Sequence, residues 1–309
     1  PPPEPPPAPP KTEIPEPTAA VTGPPEVPAS PALRRMAREL GVDIHSVKGT
    51  GPENRITEDD VRNHAKSIIS GVKAAPLPDF SRWGQVERHP LSSIRRAIAE
   101  HLSGAWTSIP HVTHFESADI TELEAFRKTI DSKTKVTITA IAMKAVSQAL
   151  KLFPQFATSL DVEKGEVISK KYCHVGVAVD TEQGLLVPVI RDVDKKGILA
   201  ISSELAQMAD KARTRTLSID EMQGGTFTIT NLGGVGGTNF TPIINSPEVA
   251  ILGISRSSLQ PVFRDGEFVP RLILPLALSF DHRVVDGADS ARFLRWIVEA
   301  LEQPLRLVL

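Results

Sequence analysis

Thirteen of the chain's 27 prolines fall within its first 29 residues, a stretch with no aromatic side chain. Proline fixes φ and lacks an amide donor, so such a segment joins neither a helix interior nor a sheet and stays extended at about 3 Å per residue. Folded structure must lie beyond it, and residues 1–29 read as a linker. A tether of this kind implies a mobile body attached upstream; the competing reading is a disordered tail. Because the sequence opens at Pro1 with no initiator methionine, the expectation is the C-terminal part of a longer polypeptide.

A small folded body is expected next, over residues 30–66. Ser30 can cap a helix that starts at Pro31, carries Leu33, Met36, Ala37 and Leu40, and ends at Gly41. Thr57 should cap a second helix, with Asp60 at the capping-box position and Val61 and Ala65 on the apolar side. The loop 47–56 between them holds glycines that permit positive φ. The basic cluster Arg34, Arg35, Arg38, Lys48 and Arg55 could dock on an acidic partner or be a solvated helical face.

The opening Ser-Pro-x-x-Arg-x-x-Ala-x-Glu-Leu-Gly-Val-Asp and the loop Gly-Thr-Gly-x-x-x-Arg-Ile resemble the peripheral subunit-binding domain of 2-oxoacid dehydrogenase acyltransferases. The resemblance implies that residues 30–66 bind the decarboxylase, the dihydrolipoamide dehydrogenase or both, through that basic cluster. One position departs from the family pattern: Asn54 stands where a third glycine is usual, and asparagine tolerates the left-handed region better than most residues.

At 309 residues and 40% apolar, the chain has material for a larger core as well. A second linker is expected over 67–86 and the main domain over 87–309. Helices are expected near 92–106, 122–130, 138–152, 199–214 and 287–302, and strands near 111–119, 173–181, 184–190, 225–230, 247–256 and 267–280. The alternation reads as a mixed α/β layer structure. A formal charge of −2 gives no electrostatic reason to expect nucleic acid or an anionic membrane as partner. The single cysteine, Cys173, can form neither an internal disulfide nor a cysteine zinc site, so a reducing compartment is expected. No run approaches the ~20 apolar residues of a membrane-spanning helix.

The segment 280–287, Phe-Asp-His-Arg-Val-Val-Asp-Gly, follows an apolar run and precedes a helical one, which puts His282 at a strand-to-helix junction, where sites collect. A neutral histidine can take a proton from a thiol whose pKa is about 8.5. By spacing alone, His282 and Asp286 favour a satisfied structural pair. The whole segment is more specific. Together with 224–233, Gly-Gly-Thr-Phe-Thr-Ile-Thr-Asn-Leu-Gly, and 241–253, Thr-Pro-Ile-Ile-Asn-Ser-Pro-Glu-Val-Ala-Ile-Leu-Gly, it resembles the superfamily of chloramphenicol acetyltransferase and the dihydrolipoamide acyltransferases, from about residue 79 onward.

That resemblance implies a chloramphenicol acetyltransferase-like α/β catalytic domain with a mixed sheet. It implies coenzyme A as co-substrate and an acyl group carried on a lipoyl thiol, borne by a domain absent from this sequence. It makes His282 the general base, maps the oxyanion-binding hydroxyl to Thr230, and makes Asp286 a structural carboxylate paired with Arg95 or Arg96. A hydroxyl aimed at developing negative charge is worth about 10²–10³ in rate, which suits Thr230; by propensity alone Thr230 is a strand residue. No Gly-x-Ser-x-Gly elbow occurs and Cys173 has no adjacent base, so direct transfer in a ternary complex is expected in place of an acyl-enzyme. With no phosphate-binding glycine loop, Lys211, Arg213 and Arg215 are candidates for the coenzyme A phosphates, although the same cations complement a helix C-terminus.

Segments 79–84 and 109–124 are most similar to the bacterial pyruvate dehydrogenase branch, which favours acetyl over succinyl or branched-chain acyl groups. The resemblance further implies trimers with His282 and Thr230 drawn from different chains, a cubic 24-subunit core, and a place in the bacterial cytoplasm. The apolar end 305–309 fits burial by a neighbour or packing on its own subunit. The rival readings are a non-catalytic scaffold subunit, disfavoured by intact His282 and Thr230, and a free-standing acetyltransferase, which would leave the linker and small domain without purpose.

Overall fold

In a computed structural model of the chain, the structure describes residues 29–69, 77–130, 135–182 and 184–307. The linker expected over 1–29 lies outside these except for Ala29, as do residues 70–76 of the second linker and the last two residues of the apolar end. The described residues form two compact units, one ending at Arg88 and the other starting at His89.

In the first unit, helix α1 (Pro31–Glu39) begins as expected: the Ser30 hydroxyl accepts the Leu33 N–H at 3.3 Å and proline occupies the first turn, where its missing donor costs nothing. Gly41 follows at φ +66°. Helix α2 (Glu58–Ile69) opens with a reciprocal cap, Asp60 N–H to the Thr57 hydroxyl at 3.3 Å and Thr57 N–H to the Asp60 carboxylate at 2.9 Å. The same carboxylate accepts the Thr50 N–H and hydroxyl at 2.9 and 2.8 Å, tying the loop to the helix. Asn54 sits at φ +57°, in the left-handed region. Ala37, Val42, Val47, Ile56, Val61 and Ala65 close a small core.

The second unit runs α3 (Ser93–Ser108), β1 (His111–Asp119), α4 (Thr121–Thr129), α5 (Ile138–Leu152), β2 (Thr158–Asp161), β3 (Glu166–Ser169), β4 (Val175–Val177), β5 (Val179–Thr181), β6 (Gly184–Leu186), β7 (Val189–Ile190), α6 (Ile198–Thr214), β8 (Phe227–Asn231), β9 (Ala250–Ile254), β10 (Ser258–Arg264), β11 (Glu267–Asp281) and α7 (Gly287–Glu302). Seven strands make one sheet in the order β1-β11-β9-β8-β4-β7, with β10 added along the first half of β11. β8 is parallel to β4 and β9 while the other pairings are antiparallel, so the sheet is mixed and the fold is α/β.

One sheet face carries the main core. Phe227 and Ile229 of β8, Ala250, Leu252 and Ile254 of β9, and Leu274, Leu276, Leu278 and Phe280 of β11 bury against α5 and α7. These strand residues alternate, as a two-residue period requires when one face is core. Phe293 of α7 stacks on Phe156 at 4.0 Å between centroids. The other face is more polar and holds Thr228 and Thr230, with Ile251 in a smaller cluster formed with Ala105, Ile109 and Ile244.

The structure departs from expectation in the strands. The run 173–181 divides into β4 and β5, and 184–190 into β6 and β7, because β5 and β6 turn away to pair only with each other. The hairpin β2–β3 and strand β10 were not anticipated. β10 carries Pro261, opposite Pro270 of β11 in the register; neither residue can donate to the ladder, which masks an edge strand in the sequence.

Candidate active site

β11 ends at Asp281 and His282 follows in the turn before α7, with an exposed ring. Its backbone N–H donates to the Pro110 carbonyl at 3.2 Å, so the turn is held by the residue preceding β1. The ring lies 5.6 Å from that of Phe280. Buried Asp281 does not serve the histidine: the Arg283 guanidinium donates to it through Nε at 3.0 Å and Nη2 at 2.7 Å. This pair was missed in the sequence reading, where Asp281 and Arg283 stood only as parts of the motif.

Asp286 occupies the N-cap position of α7, exposed and without a capping hydrogen bond from its side chain. Among the described residues, the expected ion pair with Arg95 or Arg96 is not made within the chain. The Arg95 guanidinium lies instead beside Gly184 of the β5–β6 hairpin, 3.5 Å from where a Cβ there would stand. At the same corner, the Ser290 hydroxyl donates to the Gly287 carbonyl at 2.8 Å and meets His114 Nδ1 of β1 at 2.8 Å.

Thr230 lies on β8, 9% exposed, on the face away from α5 and α7. In the register it pairs with Gly253, which pairs with Ala277. His282 is therefore two strands across and five residues along, about 19 Å from Thr230 at ordinary strand spacings. One chain does not bring the two together.

Above the Thr230 face runs the segment 240–249. The Phe240 ring lies on Gly253, where a Cβ would approach its Cζ to 2.8 Å. Ile244 N–H donates to His111 Nε2 at 3.0 Å, and His111 Nδ1 lies 2.8 Å from the Ile109 carbonyl, which fixes the neutral ring with its proton on Nδ1. Beside Asn231, whose amide donates to Thr139, a cleft of about 650 Å3 opens against α6 and is lined by Thr137, Ala178, Ser202 and Arg213. Arg213 and Arg215 also line an apolar cleft of about 370 Å3 beside Ile94, Ala97 and Ile98 of α3. Lys211 points elsewhere: it pairs at 2.6 Å with Glu221, whose carboxyl that ammonium and the Ser218 N–H hold down at about 2. The three cations proposed for phosphates therefore do not act as one cluster.

Burial pushes the half-buried Cys173 thiol up to about 11, which leaves it protonated and poorly nucleophilic at neutral pH. In the first unit, Arg35, Arg38, Lys48 and Arg55 are exposed and Arg34 is half-buried. No helix among the described residues is long and apolar enough to cross a membrane.

Residues 84–309 match the family described as 2-oxoacid dehydrogenases acyltransferase (catalytic domain), and residues 27–62 match the e3 binding domain. The chain is 45% identical to the dihydrolipoyllysine-residue acetyltransferase component of the pyruvate dehydrogenase complex of Haemophilus influenzae, over 91% of this chain and 54% of the relative. For the corresponding protein of Cupriavidus necator the figures are 48%, 91% and 55%. The chain thus spans about half the length of these curated relatives. Among solved structures it resembles the Azotobacter vinelandii dihydrolipoamide acetyltransferase, studied for the role of a serine, a histidine and an asparagine in the catalytic mechanism (46% identity, TM-score 0.75, 77% of this chain and 100% of that one). It also resembles the cubic core of a pyruvate dehydrogenase multienzyme complex (47%, TM-score 0.75, with the same coverage).

Proposed function

Since the chain belongs to the 2-oxoacid dehydrogenase acyltransferase family, with an E3-binding domain ahead of its catalytic domain, we propose that it transfers acetyl groups between a dihydrolipoyl thiol and coenzyme A. One observation carries this reading. In the Azotobacter enzyme the named serine and histidine stand 52 positions apart and the histidine and asparagine 4 apart, the spacings of Thr230, His282 and Asp286 here. A hydroxyl is kept at the first position and the imidazole at the second.

In the proposed reaction the His282 imidazole removes the coenzyme A thiol proton. The thiolate attacks the acetyl-lipoyl carbonyl carbon, and the Thr230 hydroxyl donates to the resulting oxyanion. Collapse breaks the bond to the lipoyl sulfur, which takes the proton back from the imidazolium. No acyl-enzyme forms. At the third position an asparagine and an aspartate share only a side-chain oxygen, so Asp286 acts as a hydrogen-bond acceptor; an arginine partner, Arg95 or Arg96, would come from a neighbouring chain. Arg213, which lines both clefts, and Arg215, which lines the one beside α3, are the cations proposed for the coenzyme A phosphates.

The separation of Thr230 from His282 supports a site completed between chains, in trimers that build a cubic 24-subunit core like that of the related complex. The E3-binding domain supports docking of dihydrolipoamide dehydrogenase through Arg34, Arg35, Arg38, Lys48 and Arg55, with the decarboxylase as the second candidate. The lipoyl group is supplied by a domain outside this sequence. Bacterial relatives support a place in the bacterial cytoplasm. Turnover of dihydrolipoamide with acetyl-, succinyl- and isobutyryl-coenzyme A tests the reading: acetyl should be preferred, and a preference for either of the others overturns it.

A further inference from the structure

Glu248 is the one side chain in the segment 240–249 whose burial calls for an explanation. It is 4% exposed, and one carboxyl oxygen, Oε2, has no hydrogen-bond partner among the described residues. A buried carboxyl in that state is costly and is kept for a reason. Polar groups nevertheless surround it: the Thr228 hydroxyl and the Asn245 amide are its neighbours, and the Lys170 ammonium, which donates to the Gly225 carbonyl at 3.2 Å, is its countercharge. The space is reserved for it as well, since a Cβ at Gly225 would run into Glu248 Oε1.

The network leads toward Thr230. Thr228 and Thr230 are two residues apart on β8 and so share the polar face. The Asn245 amide nitrogen donates to the Thr228 hydroxyl at 3.3 Å, and its amide oxygen accepts from His101 Nε2 at 3.2 Å. The segment that bears Glu248 is fixed at three points: Phe240 on Gly253, the cross-strand neighbour of Thr230; Ile244 on His111; and Asn245 on Thr228, with the Glu248 N–H donating to the Asn245 carbonyl at 3.0 Å.

We infer that Glu248 is a positioning residue for the oxyanion half of the site: its buried carboxyl group braces Thr228 and Asn245 and so clamps the segment 240–249 over the face of β8 that presents Thr230. This rests on the oxyanion role proposed for Thr230. What the site needs from Glu248 is a hydrogen-bond acceptor. Displacing the segment misaligns the donor, and errors of about 1 Å in catalytic alignment cost up to about 10²-fold.

The test uses the full chain in its assembled form. Glu248→Met, which keeps the side chain's length, should lower kcat for acetyl transfer about tenfold with KM for coenzyme A unchanged. Glu248→Gln, which restores an acceptor oxygen, should recover kcat to within about threefold. Should Glu248→Met fail to fold, Thr228→Val and Thr228→Ser carry the same comparison, with loss expected in the first and recovery in the second. A Met and a Val variant both within twofold of the parent overturn the inference, and so does a Gln variant as slow as the Met one. An inactive parent chain would instead sink the acetyltransferase reading itself.

Discussion

Replacing His282 by Ala should lower acetyl transfer by about 10²–10⁴-fold, the range for losing a general base, with the elution volume of the assembly unchanged. Activity within a few-fold of the parent would remove the base from the mechanism. Thr230→Val should cost about 10²–10³ in kcat while Thr230→Ser retains most of it, as expected of an oxyanion donor. Glu248 gives a prediction in pH. Burial pushes its carboxyl up to about 7 from a reference near 4.5, so between those values the folded chain holds a proton that the unfolded chain has released. Stability should therefore fall as pH rises through that window, with the penalty complete above it. Melting curves of Glu248→Gln should lack that component, and an identical pH profile in parent and variant would contradict it. His282 and Thr230 could be put forward from the sequence because each sits in a run whose order is itself distinctive. Glu248 and the Asp281–Arg283 pair were not, because their roles depend on which strands lie side by side and on burial, which spacing along the chain does not encode.

Elements whose apolar period is unbroken could be read closely. α5 has ten buried positions in fifteen, and α7 and β1 begin and end where the sequence pattern places them. The strands around residue 180 could not, since a continuous β-like pattern does not reveal that Ala178 separates a strand of the main sheet from a hairpin of its own. The capping box of α2 shows how far a local signal can carry. Backbone N–H groups of Thr57 and Thr50 hold the Asp60 carboxyl well below the usual carboxylate range, so its contribution is present above about pH 4 and lost on acidification. Asp60→Ala should raise hydrogen exchange throughout residues 31–69 of the whole chain at neutral pH and remove the acid-dependent part; unchanged protection would mean that the loop does not depend on this cap.

At the scale of the molecule, the expected two-body organisation rests on a tether and caps near the start and on the catalytic segments further on; the packing of chains against one another leaves no comparable trace in one sequence. Co-assembly tests the shared site. When His282→Ala and Thr230→Val chains are mixed, unfolded and reassembled, about a quarter of interfaces should pair an intact histidine with an intact hydroxyl under random closed-ring assembly, and activity should return in proportion. No recovery would place both groups in one chain. The distance of about 19 Å between Thr230 and His282 also bears on the chain's early life. If the proposed site is shared between chains, a newly made subunit would carry both reactive parts and be able to use neither, so it would spend no thioesters while alone, and the appearance of product would report that neighbours have closed around it.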